Sequence, residues 1–142
     1  MRSTRSFMVV SAAALALVLA AGSATAQSSI SLRADIPFEF TAAGKTMPAG
    51  EYSLRSLAPP EIVAISATDG GAQALLLTQG AASNTVSDQS KLLFRKYGDR
   101  YFLAEVWSAG SLSGQRLPVS KAERELTKRA ANFEVVAVLT QR

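Results

Sequence analysis

The 142-residue sequence contains neither histidine nor cysteine. Without them, Ser-His-Asp and Cys-His catalysis are impossible. The usual general base near neutral pH is missing, and so are the ligands that zinc sites normally use. No disulfide can form, so the folded body relies on its core alone; a lipoprotein anchor, which is built on a cysteine, is excluded too. Aromatic residues make up only 7% of the chain, and Trp107 is its single tryptophan. Neither a D-x-[DN]-x-[DN]-G calcium loop nor a G-x-x-x-x-G-K-[ST] phosphate loop occurs. No metal and no cofactor is expected.

Charge of one sign is also scarce: fifteen basic residues face eleven acidic ones. Two of the fifteen, Arg2 and Arg5, stand in an acid-free start that leads into the apolar run MVVSAAALALVLAA, residues 8–21. Small residues follow, ending in Ala24-Thr25-Ala26 before Gln27. A basic start, a short apolar stretch and an A-x-A site describe a secretory signal peptide, with cleavage expected after Ala26. Gly22 and Ser23 end the run before it reaches the roughly 20 apolar residues of a spanning helix. Residues 27–142 then form one domain with a net charge of +2, too weakly basic to suggest nucleic acid. The expected location is periplasmic or secreted, with no integral membrane span once the leader is gone.

What is present is mostly strand and turn. In SISLRADIPFEF every even position from Ile30 to Phe40 is apolar, the period of a strand with one buried face. Pro37, lacking an N–H, marks that strand as an edge or a bulge. Gly44 permits a short reversal, and Pro48 and Gly50 fit the second and fourth positions of a β-turn. Tyr52 and Leu54 share a face of the strand that follows. Ile62–Ala67, a reversal at Asp69-Gly70-Gly71 and AQALLLT form a hairpin, and residues 79–90 read as a long polar surface loop.

KLLFRKYGDRYFLAEVW, residues 91–107, is the strongest hairpin, turning on Gly98-Asp99 with glycine first, as a type II′ turn prefers. Simple alternation puts Leu92, Phe94, Tyr101, Leu103 and Trp107 on one face and Leu93, Tyr97, Phe102, Ala104 and Val106 on the other. Strands apolar on both faces are usually covered on both. A helix over about 121–131 is expected to supply that cover through Ala122, Leu126 and Ala130. Its start carries a capping box, Ser120 with Glu123. FEVVAVLT closes the chain as a strand interior to a sheet. The fold class is therefore mainly β: an antiparallel β-sandwich or small barrel of about seven to eight strands, with one C-terminal helix before a last strand.

Four ordered blocks carry a resemblance: IPFEF, GKTMPAGEYSLR, KLLFRKYGDRYFLAEVW and SKAERE. Together they resemble a family of small exported bacterial β-rich proteins with the pattern IPFxF, GKxxPAGxY, YGDxYFL and SKAERE, matched over about residues 30–130. Met47 stands where leucine is more usual in that pattern. The resemblance implies export and a single domain, and it brings no activity and no catalytic residues. PAGEYSL is also similar to a turn phrase of transthyretin-like and carboxypeptidase-regulatory-like β-sandwiches.

The remaining chemistry is thin. Ser90-Lys91 and Ser120-Lys121 are adjacent pairs without S-x-x-K spacing. Asp35, Glu39, Glu51 and Glu105 are the carboxylates available for a hydrolytic pair. Tyr97, Tyr101 and Trp107 are the candidate binding residues, an aromatic cluster suited to stacking on sugars or gripping an extended peptide. The alternative is that these rings complete the core. A non-catalytic binding or structural role in the cell envelope is expected, with assembly into a homo-oligomer or envelope polymer through the strands at 91–107 and 133–140 as a further reading.

Overall fold

The computed structural model describes residues 30–58, 62–129 and 132–141. The expected leader (1–26), the Pro59-Pro60 break and the helix end at 130–131 lie outside them. The alternation after Ile30 becomes β1 (Ser31–Ile36), whose Leu32, Ala34 and Ile36 are buried between exposed neighbours. Pro37 ends this strand, and the chain re-enters the sheet as β2 (Phe40–Ala42). A single long strand, edge or bulged, is thus corrected to two. β1 lies between two partners, and Pro37 stands just past its last residue, where a missing N–H costs no ladder bond.

β2 and β3 (Lys45–Met47) form a hairpin closed by Ala43 and Gly44, both with positive φ (50° and 76°), as a type I′ turn demands. β4 (Gly50–Ala58) follows the Pro48-Ala49 step. The Tyr52 hydroxyl donates to the Pro48 carbonyl at 2.6 Å, while its ring is buried edge-on to Phe40. The P-A-G-x-Y phrase therefore braces its own turn. β5 (Ile62–Ala67) and β6 (Gln73–Leu77) form the expected hairpin, with Gly70 at φ 79° and the Asp69 carboxylate accepting from the Gly71 N–H.

β7 (Gln79–Ala82) continues β6 after Thr78 but changes neighbours, pairing with β10 (Ser113–Arg116). The 79–90 segment therefore begins as a strand, and only its remainder is loop. β8 (Lys91–Tyr97), β9 (Arg100–Trp107), α1 (Lys121–Arg129) and β11 (Glu134–Gln141) complete the order. The circuit runs β9–β8–β11–β1–β4–β5–β6, passes through β7 to β10, and returns to β9. β2 pairs with β9 in parallel, and the Lys45 Nζ donates to the Gln73 carbonyl at 2.7 Å, linking β3 to β6. The result is a nearly closed barrel, mainly β, with one helix among the described residues, before the last strand. Eleven strands are found among the described residues, more than seven to eight because β2, β3, β7 and β10 are each only three or four residues long. Ile36, Phe40, Met47, Tyr52, Leu54, Ile65, Leu76, Leu92, Phe94 and Val106 fill the interior. No helix among the described residues is long and apolar enough to cross a membrane.

One irregularity decides what the hairpin shows to solvent. β8 and β9 pair Leu93 with Glu105 and then Phe94 with Leu103, so Ala104 is an extra residue on β9. The parity of the strand changes there. Val106 joins the core, and Trp107 moves to the outer face, reversing the assignment that simple alternation gives. The Ala104 carbonyl accepts from the Leu117 N–H at 2.8 Å, and Leu117 is itself buried.

The helix starts as expected at Ser120, whose hydroxyl accepts from the Glu123 N–H. The Glu123 carboxylate does not return to complete the capping box. It is buried, taking bonds from the Arg95 Nε, from the Arg95 guanidinium again at 3.2 Å and from the Tyr97 hydroxyl at 3.1 Å. Arg95 and Tyr97 alternate with core-facing Phe94, so α1 is attached to the outer face of β8. The contact is polar rather than the apolar stripe expected: Ala122 is exposed and Leu126 half-buried. β11 is interior to the sheet, between β8 and β1, but is covered on one face only. Val136 and Val138 pack on the core while Val135 and Leu139 remain 58% and 60% exposed.

Candidate functional site

The outer parity of β8, β9 and β11 places Lys91, Leu93, Glu105, Trp107 and Leu139 on one wall of the barrel, beneath the loop that follows β7. With Ser83, Thr85, Val86, Ser87, Asp88 and Gln89 of that loop they line a groove of about 530 Å³, within the size range of small-ligand sites. Lys91 lies in register with Trp107 on one side and Leu139 on the other.

The rim is built by short-range hydrogen bonds. The Ser83 hydroxyl donates to the Thr85 carbonyl, and that of Ser87 to the Gln89 carbonyl. Backbone bonds from Ser83 N–H to Leu112 O and from Gly110 N–H to Ser87 O fasten the loop to residues 110–112. Small polar residues in this segment are thus the turn chemistry of a braced loop.

At the groove floor Glu105 has both oxygens engaged. Oε1 accepts from the Arg116 Nε at 2.9 Å and Oε2 from the Trp107 Nε1 at 2.8 Å. The indole is only 7% exposed and rests on Gly114 of β10. Lys91, by contrast, makes no ion pair among the described residues, so one free cation stands between an indole and a leucine.

The three aromatic candidates do not form one cluster, and that expectation is corrected. Tyr97 is on the outer face but at the turn end of β8, about 20 Å along the strand from Lys91 and Trp107, where it packs against Phe102 and Phe133. Tyr101 turns to the opposite face and stacks on Phe38 at 3.8 Å. Trp107 alone borders the groove.

The carboxylates are likewise dispersed. Asp35 and Glu51 are exposed cross-strand neighbours, Glu39 is exposed beyond the end of β1, and Glu105 lies on the outer wall already paired. No group of three or more metal-ligating acids lies together among the described residues. Ser90 is buried, its Oγ accepting from the Ala109 N–H, and Ser120 caps the helix; both serines beside lysines have structural tasks. Sequence reasoning missed Lys91, Leu139 and the loop residues as a site. The signal open to it was the length of the polar segment before residue 91.

Comparison of the chain with family models, with curated proteins and with solved structures gave no match.

Proposed function

We propose that this chain is an exported, non-catalytic binding domain of the cell envelope, working through the groove between the 83–89 loop and the outer wall of β8, β9 and β11. The observation that carries this reading is the contrast at the groove floor. Leu93, Leu139 and Trp107 surround Lys91, while the one carboxylate there, Glu105, is held by Trp107 and Arg116. Apolar contact beside a single cation, with the floor carboxylate already engaged, suits recognition of a ligand rather than hydrolysis by a carboxylate pair. The leader pattern and the likeness to small exported proteins support export. A carbohydrate or peptide ligand remains compatible, but the separation of Tyr97, Tyr101 and Trp107 favours the groove over an aromatic patch.

Backbone amide shifts of the isotope-labelled domain, titrated with polysaccharide, lipid and peptide fractions of a bacterial envelope, test this reading. Shifts gathered on residues 83–89, 91–93, 105–107 and 139 are expected for one fraction. Shifts scattered over the barrel, or none with any fraction, would overturn it. A structural role is the second reading, favoured by the open apolar row Phe133, Val135 and Leu139; light scattering that shows a stable oligomer would support it.

A further inference from the structure

We infer that the groove takes a small amphiphilic monocarboxylate, its charge on Lys91 and its apolar body along Leu93, Leu139 and Val86. This rests on the groove being the binding surface. Lys91 is half-buried on β8 with Trp107 and Leu139 as its register partners, and no described acid pairs with it. A cation set between apolar walls is matched by an anion whose neighbouring atoms are apolar, because both partners then leave water together.

The number of charges sets the class. Glu105 is already neutralised by Arg116, and Asp88 stands on the rim of the same groove. One ammonium without an ion pair among the described residues, in a groove that also carries the Asp88 carboxylate, accommodates a single negative charge and disfavours phosphate dianions and polyanionic sugars. Leu93, Leu139 and Val86 give the body of the ligand an apolar bed, with Leu139 and Val86 60% and 52% exposed. The rim is fixed by the loop's internal bonds, so little ordering is needed on binding.

Trp107 is the only tryptophan and borders the groove, so its emission reports occupancy directly. The chain would be titrated with decanoate, decanol and acetate. Decanoate should give a saturable change in emission that decanol and acetate do not match. Lys91→Gln should weaken decanoate binding about tenfold, while Lys91→Arg keeps it within about threefold, as expected for loss or retention of a charged contact. No response to decanoate, an equal response to decanol, or an unaffected Lys91→Gln variant would each overturn the inference. Amide shifts that still gather on the groove with another envelope fraction would leave the binding-domain reading standing.

Discussion

Gly114 lies directly against Trp107: a methyl group at position 114 would come within 2.6 Å of the indole ring. The two residues are register partners on β10 and β9, and the ring occupies the space where any other residue has its Cβ. Gly114→Ala is therefore expected to destabilise the fold by about 1–3 kcal/mol and to shift Trp107 emission. Gly80→Ala, on the neighbouring strand with nothing within 4 Å of its added methyl, should change stability far less. Urea unfolding followed by tryptophan fluorescence separates the two.

Glu123 fastens the helix, and its loss leaves Arg95 without a counter-charge where the arginine side chain is only 14% exposed. Glu123→Ala should cost about 3 kcal/mol. The double replacement Arg95→Met with Glu123→Leu should recover most of that, since an apolar pair leaves no buried charge behind. Thermal melts of the two single variants and the double variant close the cycle. Strict additivity would mean that the pair is not coupled.

Burial, and secondarily the charge of Asp69, raises the Tyr52 phenol above its ordinary value of 10.0. As pH climbs past that value, the unfolded chain gives up the proton first, so alkali favours unfolding. The contribution is complete below about pH 10 and is lost as pH rises through the folded value. Chemical unfolding between pH 8 and 11 should show this decline, and Tyr52→Phe should flatten it. At neutral pH the same variant forfeits the bond to Pro48, at a cost of about 1 kcal/mol.

Ala43 holds φ at 50°, a region that suits asparagine or glycine in a type I′ turn. Ala43→Asn should stabilise the chain by about 1 kcal/mol. A melt at or below that of the parent would show that this turn carries no relievable strain.

The outcome along the chain follows from how far a periodic signal extends. β1, β5, β6 and the 91–107 hairpin were legible because each runs five residues or more with a face to bury. Helix α1 was legible from Ser120 and its flanking charges. β2, β3, β7 and β10 are too short to carry a period, and β10 begins inside SAGSLSG, residues 108–114, whose small residues give no strand pattern. Gly114 is small because Trp107 lies over it, a reason that resides on another strand. Glu123 looked like half of a capping box because Arg95, its true partner, is 28 positions away. The groove was hidden for the same cause. Its floor draws on three strands, and its tryptophan faces outward because the ladder passes over Ala104.

That additional residue is absorbed outside the alternation of β9. Leu103 faces inward, Ala104 is passed over, and Val106 takes the interior while the indole goes to the exterior. Straightening this step with every residue kept would send the indole inward and expel the valine, whereas deleting Ala104 would restore plain alternation and leave both where they are. The wall that a ligand would meet thus depends on one skipped rung of the ladder rather than on the number of residues in the strand.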